Sequence, residues 1–379
     1  MTASLAFALP FVGIGKVLIF LVVLSVLVVL HEYGHFLVAR RNGVRVNDFA
    51  LGMGPTLAKW TSPRSGTNYR LNLLPIGGYC AMKGEDGKTN EAEQQREFRA
   101  GKHDEDNFQA KTPLQRLAIV VAGPAANFLV ALALLFFGAT IFGVPGNAPT
   151  TRIAQIVSGF PAERAGMHVG DRIVDINGTA IADGNQLVTL IHGSIGKSLH
   201  LTYERDSAMH SVDVVPVSRK DPASGKTVGV IGFTPADVLH RVGPVEAARD
   251  SWLQFSGVCM STFGALGALF VHPVQTAGQL HGLPGMAQAS ATIQDFGLGV
   301  YLPFAATISI SLGIFNLLPV PALDGGRGVF ILVEMLRGKP VDPEKEALVH
   351  FGGFAVLMAL ILFITFHDIQ NIIAGKGLL

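Results

Sequence analysis

Two histidines and a glutamate form a pattern that can bind a metal ion and support hydrolysis of a peptide bond. His31, Glu32 and His35 stand as His-Glu-x-x-His at the end of the first long apolar run. Residues four apart share one face of a helix, so both imidazoles can bind the same Zn²⁺. Zinc lowers the pKa of a water molecule toward about 7, and Glu32 can take the proton that this water releases. The pattern therefore predicts zinc-dependent hydrolysis.

A catalytic zinc site needs a third protein ligand, and Asp324 is the candidate. It lies in the run NLLPVPALDGG, residues 316–326, where two prolines and two glycines interrupt an apolar segment. Interrupted helices at membrane depth are tolerated where they line a cavity or pack within protein. Asn316 in the same run can donate to a developing oxyanion or hold a substrate strand, or it only caps the helix end. Asn127 either supports the site or bonds to a neighbouring helix.

Membrane helices are the elements expected to position these residues. Only 15% of the 379 residues are charged, whereas soluble proteins are about 25% charged. A span takes about 20 apolar residues, and four runs qualify: residues 12–38, 117–142, 300–318 and 351–366. A fifth run, residues 252–271, is rich in Gly, Ser and Thr and is predicted to be interfacial or re-entrant. Histidines and a carboxylate inside a span are costly, which indicates a functional role.

Two further regions show strand-like patterns. Residues 49–82 contain alternating runs broken by glycines, which predicts β-hairpins that return to the membrane. Residues 151–234 contain short β-like runs and one helical stretch at residues 182–192, and Asn177-Gly178 is typical of a two-residue hairpin turn. The expected fold class is an α-helical polytopic membrane protein with a β region and an inserted α+β domain.

Basic residues predict the orientation in the membrane. Most lie in the loop after the first span and in the segment after the third, and few lie at the chain ends. The positive-inside rule then places both termini and the inserted domain outside, with the metal site near the cytoplasmic side. The net charge of +1 gives no reason to expect nucleic acid as a partner.

These motifs together resemble those of a known family, the bacterial site-2 proteases, in the branch of sigma-E-type proteases. The resemblance covers nearly the whole chain and rests on five runs: HEYGH at residues 31–35, NDFALGMGP at 47–55, YRLNLLPIGGYCAMKGED at 69–86, AGPAAN at 122–127 and NLLPVPALDGG at 316–326. It implies a zinc metalloendopeptidase of regulated intramembrane proteolysis in the bacterial cytoplasmic membrane. The implied substrates are single-pass membrane proteins, such as an anti-sigma factor or signal-peptide remnants.

The resemblance also implies that the β region holds the substrate as an added strand. A membrane helix must unwind before a protease can reach its amides, and strand addition suits that state. The residues implied to bind the substrate strand are Leu71, Asn72, Gly77, Gly78, Tyr79 and Met82.

The inserted domain resembles a PDZ domain through the run GFPAERAGM at residues 159–167 and the turn ING at 176–178. PDZ domains bind peptide ends by strand addition, which implies a peptide ligand. The alternative is a domain that binds nothing and only excludes large substrates. The best-known sigma-E-type members carry two tandem PDZ domains, whereas the sequence of this chain shows one.

The predicted organisation has eight consecutive parts. They are residues 1–48 with the first span and its His-Glu-x-x-His motif, 49–110 with the cytoplasmic membrane-associated β region and its loop, 111–145 with the second span, 146–236 with the PDZ domain, 237–295 with an amphipathic or interfacial segment, 296–326 with the third span and the Asp324 motif, 327–350 with a cytoplasmic segment, and 351–379 with the fourth span and tail.

Two alternatives belong to other functional classes. A membrane adaptor would use the PDZ domain to bind exported protein tails and would carry an inactive metal site, but the intact Glu32 and Asp324 argue against it. A metal transporter would need a polar path through several spans, and the second span offers only Asn127.

Overall fold

The chain folds into two compact units. The computed structural model describes residues 12–85, 105–145, 150–157, 159–220, 227–236, 239–271, 282–294, 296–339 and 341–373. One unit comprises Met1–Ala139 and Pro244–Leu379, and the other comprises Thr140–Gly243. Most of the loop predicted after the β region, residues 86–104, lies outside the described residues.

Helices make up most of the first unit. They are α1 (Val12–Arg41), α2 (Pro113–Phe142), α5 (Pro244–Val271), α6 (Leu283–Gln294), α7 (Leu298–Leu317), α8 (Asp324–Arg337) and α9 (Pro343–Ile373). By length and composition, α1, α2, α7 and α9 can cross a membrane, and these are the four predicted spans. The helix α9 begins eight residues before the predicted span because its first turns, PEKEALVH, contain mostly good helix formers after a proline at the helix start.

Two other helices lie in the segment predicted as amphipathic or interfacial, residues 237–295. The run predicted as interfacial or re-entrant belongs to α5, which is one continuous helix of 28 residues. The helix α6 was not predicted, because its Gly- and Ser-containing sequence gives only a weak apolar period.

A β-hairpin follows α1 and consists of β1 (Val46–Thr61) and β2 (Asn68–Met82). The register shifts several times. Residues 48–51 lie opposite residues 78–81 on one side and residues 68–71 on the other, and residues 56–61 lie opposite residues 68–72. Within the described part of the chain, residues 78–82 therefore have a strand partner on one side only. We call residues 78–82 the edge segment.

Close packing joins α1 and α2 near the middle of the first unit. A Cβ added to Gly34 of α1 would stand 2.3 Å from the backbone oxygen of Ala122 on α2, so only glycine permits this approach. Next to this contact, a cluster of buried apolar side chains joins α1, the hairpin, α2 and α8. Its members include Phe36, Met82, Ile119 and Ile331. This packing fixes α1 against the elements that carry the remaining site residues.

Where the structure describes it, the second unit contains short strands and two helices, α3 (Pro161–Arg164) and α4 (Gly184–His192). Its strands are β3 (Val144–Pro145), β4 (Ile153–Ile156), β5 (Arg172–Ile176), β6 (Thr179–Ala180), β7 (Leu199–Arg205), β8 (Ala208–Val214), β9 (Val217–Lys220), β10 (Thr227–Val230), β11 (Phe233–Pro235) and β12 (Leu239–His240). A four-stranded sheet has the order β6-β5-β7-β8, while β4 pairs with β11, β9 with β10 and β3 with β12. Asn177 and Gly178 both have positive φ and form the turn between β5 and β6.

Candidate active site

The structure brings together the three residues that the sequence predicts as metal ligands. The His31 and His35 Nε2 atoms are 3.1 Å apart. Asp324 Oδ2 lies 3.1 Å from His31 Nε2 and 3.3 Å from His35 Nε2. Both histidines are buried, and Asp324 is partly exposed. Two residues one turn apart on α1 and the first residue of α8 therefore face a common point.

The segment before α8 turns Asp324 toward α1. Pro319 and Pro321 follow the end of α7, and two prolines so close together disfavour continuation of the helix because each lacks the N–H donor. Ala322 adopts a left-handed conformation with φ 76°, and its N–H donates to His350 Nδ1 of α9 at 2.8 Å. Asp324 then begins α8, where the positive end of the helix dipole favours a carboxylate.

Hydrogen bonds at Nδ1 orient both imidazoles. His35 Nδ1 lies 2.8 Å from the carbonyl oxygen of Ile119, which can only accept, so this Nδ1 carries the proton and Nε2 keeps its lone pair. Asn127 Nδ2 lies 3.1 Å from His31 Nδ1, and within the described part of the chain Asn127 Oδ1 has no hydrogen-bond partner. Turning the amide by 180° lets Oδ1 accept from His31 Nδ1 and leaves the His31 Nε2 lone pair facing the site as well.

The donor set fits a zinc ion. Two imidazole nitrogens and one carboxylate oxygen are the protein ligands that catalytic zinc binds, with a further position left for water. Asp324 Oδ2 is buried and accepts no hydrogen bond from the described residues, as expected of an atom that binds a cation. Gly123 of α2 leaves the space that the two imidazoles need, because a Cβ there would stand 2.2 Å from His35 Nε2.

Glu32 lies between the candidate metal ligands and the edge segment. The backbone N–H of Cys80 faces the Glu32 carboxylate. A Cβ added to Gly78 would stand 3.7 Å from Glu32 Cγ, so the hairpin passes directly beside this side chain. Burial raises the pKa of the Cys80 thiol, and the carboxylates of Glu32 and Glu85 add to the rise. Cys80 is therefore a neutral thiol at neutral pH and not a nucleophile.

The residues predicted to bind a substrate strand fall into two groups. Leu71 pairs with both Leu51 and Ala58, so both of its edges are occupied. Asn72 is buried, accepts from Thr56 Oγ1 at 3.0 Å and donates to the Gly52 carbonyl at 3.0 Å. These two residues hold the hairpin together.

The other predicted strand residues lie nearer to Glu32. Gly78, Tyr79 and Met82 belong to the edge segment, and Gly77 directly precedes it. Among the predicted residues, these are the ones that lie on or next to the edge that has no strand partner among the described residues.

The two asparagines also differ in position. Asn127 is fully buried against His31, and its backbone oxygen accepts from Ser309 Oγ at 2.8 Å. Asn316 is half-buried in the last turn of α7, and the hydrogen bonds found among the described residues do not join it to His31, His35 or Asp324.

Several residues of the site were not identified from the sequence. Gly123 and the Ile119 carbonyl belong to α2, His350 to α9, and Glu85 to the turn after β2. Gly123 stands in the AGPAAN run, so the sequence offered a signal for it. Glu85 stands in the run at residues 69–86, although that run does not predict its contacts, and His350 stands in none of the five runs.

The fold and the site define a class of protein. Residues 19–360 of the chain match peptidase family M50. The chain belongs to peptidase family M50, the site-2 proteases, and is a zinc metalloprotease. The four apolar helices and this membership together indicate an inner-membrane protein.

Individual relatives match over nearly their whole length. The zinc metalloprotease RasP of Geobacillus kaustophilus is 30% identical over 422 residues, covering 94% of this chain and 98% of the relative. A putative zinc metalloprotease of Rhizobium meliloti is 35% identical over 363 residues, covering 93% and 95%. The regulator of sigma-W protease RasP of Bacillus subtilis is 29% identical, covering 95% and 99%. The predictions of family, protease activity and zinc are thereby confirmed.

Among solved structures, the PDZ domain of an SdrC-like protein from Listeria monocytogenes matches 24% of this chain and 93% of its own. The identity is 22% and the TM-score is 0.20, which is too low to establish a shared fold. The PDZ assignment stays a prediction.

Proposed function

We propose that this protein is an intramembrane endopeptidase that cleaves the transmembrane segments of single-pass membrane proteins. The observation that carries the proposal is the position of His31 and His35, inside a helix long and apolar enough to cross a membrane. A peptide bond must reach that depth to be cut. One similar protein is named a regulator of sigma-W protease, which favours anti-sigma factors as substrates, with signal-peptide remnants as a second class.

Glu32 serves as general base and then as general acid. When bound to His31, His35 and Asp324, zinc supplies a Lewis acid that activates water and polarises the scissile carbonyl. Glu32 accepts the proton of the attacking water and returns it to the amine that leaves. The Cys80 N–H of the edge segment faces the Glu32 carboxylate, so this base lies beside the proposed binding strand. Asn316 remains the candidate for holding the substrate or its developing oxyanion.

The edge segment is the proposed binding strand for the substrate. Gly78, Tyr79 and Met82 have a strand partner on one side only among the described residues, and Gly78 lies beside Glu32. An unwound membrane helix can add to this edge through its backbone, which brings its amides to the metal-binding residues. Leu71 and Asn72 support the hairpin from its interior.

The proposed arrangement in the membrane follows the distribution of basic residues. Both termini and the second unit lie outside the cytoplasm, and the metal site lies near the cytoplasmic face. The second unit, Thr140–Gly243, encloses the predicted PDZ domain at residues 146–236 and is proposed to bind a peptide or to exclude large substrates.

A cleavage assay tests the proposed function. Purified full-length protein in detergent is mixed with a single-span membrane substrate, and Glu32→Gln is compared with wild type while bound zinc is quantified in both. We expect wild type to cut and Glu32→Gln to retain zinc without cutting. If both retain zinc and neither cuts truncated membrane substrates, the adaptor function is favoured and the proposal fails.

A further inference from the structure

The side chain of Glu85 binds the last backbone N–H of the edge segment that faces away from β1. The Met82 N–H donates to Glu85 Oε2 at 3.0 Å, and the Met82 carbonyl accepts from the Glu85 N–H at 3.3 Å. The next amide, of Lys83, donates in the opposite direction to the Arg45 carbonyl at 2.9 Å. Successive strand amides alternate in direction, so the groups of Met82 that Glu85 binds are those that face away from β1.

Several contacts hold this turn in place. The Lys83 carbonyl accepts from the Phe108 N–H at 2.8 Å, and Lys83 Nζ lies 2.9 Å from Asp106 Oδ1. The Glu85 carboxylate also pairs with Arg327 of α8. A carboxylate with both an amide and a guanidinium as partners is well fixed. The cap on Met82 is thus built into the fold.

The preceding outward-facing amide belongs to Cys80 and faces Glu32. Cys80 and Met82 are two residues apart and therefore present their amides on the same edge. One of these amides lies at the catalytic base, whereas the other is occupied by Glu85. A strand added to this edge can pair as far as Cys80, but pairing at Met82 requires that Glu85 be displaced.

We propose that Glu85 is a positioning residue that ends the pairing of the substrate strand at Cys80 and so selects which peptide bond reaches Glu32. The inference rests on the proposed intramembrane cleavage. A strand that slides by one residue turns its side chains to the opposite face, whereas a slide of two residues preserves every contact type. Without the cap, the substrate gains one further pairing position, and a second register becomes available.

The test maps the cleavage position with full-length protein in detergent and one single-span substrate. Mass spectrometry of the products identifies the bond that is cut, and bound zinc is measured for each variant. Wild type is expected to cut mainly at one bond. Glu85→Ala is expected to retain zinc and to add a product whose end is displaced by two residues, the strand period.

Two matched variants separate the cap from the ion pair. In Glu85→Gln the amide oxygen can still accept from the Met82 N–H, so the wild-type position should persist. In Arg327→Gln the ion pair is lost while the cap remains, so the position should again persist.

Three outcomes would overturn the inference: an unchanged position in Glu85→Ala, a shift in Glu85→Gln equal to that in Glu85→Ala, or complete loss of cleavage in Glu85→Ala while Glu85→Gln stays active. Absence of cleavage by wild type would instead refute the proposed function, and the inference with it.

Discussion

Gly123 of α2 lies directly against His35 of α1, on the side where the metal-binding atoms meet. A Cβ built on Gly123 would stand 2.2 Å from His35 Nε2 and 2.8 Å from His31 Cε1. Real Cβ atoms do not approach other atoms so closely. The histidines cannot shift away, because the Ile119 carbonyl and the Asn127 side chain hydrogen-bond to their Nδ1 atoms. The lack of a side chain at Gly123 of α2 therefore leaves room for the two imidazoles.

Gly123→Ala should abolish zinc binding, because its methyl group would take the space of the His35 imidazole. Gly138→Ala on the same helix is the matched control, since its Cβ would meet only Leu302 at an ordinary 3.6 Å. Zinc content of the purified full-length variants, measured by atomic emission, checks this. Stoichiometric zinc in Gly123→Ala would show that α1 and α2 can separate without loss of the site.

Asn127→Leu should weaken zinc binding by about 10–100-fold, the usual cost of removing the partner that orients a ligating histidine. Asn127→Asp keeps an acceptor for His31 Nδ1 and should lose much less. Competition with a chelator of known affinity gives the dissociation constants. Equal losses in both variants would indicate that Asn127 acts through packing alone.

His350→Ala should lower both zinc affinity and cleavage rate by up to about 10-fold, because the turn before Asp324 loses one exposed hydrogen bond, worth roughly 1 kcal/mol at most. The Ala322 N–H at that turn donates to His350 Nδ1, and Ala322 holds an unfavourable positive φ. His350→Asn, whose side-chain oxygen can accept, should recover part of the loss. Zinc titration and the cleavage assay report the two effects. Wild-type behaviour of His350→Ala would mean that the prolines alone position Asp324.

The second unit should depend more on its buried ion pair than on its exposed one. Asp171 is buried and accepts from Arg205 Nε at 2.7 Å and from the His168 N–H at 2.8 Å. Asp171→Asn should cost about 2 kcal/mol of unfolding free energy. Glu204→Gln, which breaks the exposed pair with Arg172, should cost at most about 1 kcal/mol. Hydrogen exchange of β5 and β7 in the full-length protein measures both, and equal costs would contradict the prediction.

The Asp171 carboxylate should also make the stability of this unit fall at low pH. Burial alone would raise the pKa of Asp171, but hydrogen bonds from Arg205 and His168 hold it below the ordinary value of 3.8. A carboxyl with a lowered pKa in the folded state stabilises that state above its ordinary pKa, and the stabilisation is lost as the pH falls through the folded-state pKa. Wild type should therefore lose protection in β5 below pH 3.8 more steeply than Asp171→Asn. Parallel pH profiles of the two proteins would exclude this role.

Local patterns in the sequence were sufficient to predict the spans and to select the candidate metal ligands. His31 and His35 are one helical turn apart, so their common face follows from helix geometry alone. The four spans follow from composition, because a bilayer selects long apolar helices. Asp324 was predicted because an acidic residue after a broken apolar segment needs a partner.

Only the tertiary structure decided which distant residues support that site. Asn127 meets His31 across 96 residues of sequence, and Arg327 meets Glu85 across 242. The structure also separates the interior strand at Leu71 from the edge segment, because that distinction depends on how a strand pairs rather than on its own residues. Helix periodicity and hydropathy are properties of neighbours along the chain, whereas pairing and packing depend on which surfaces finally meet.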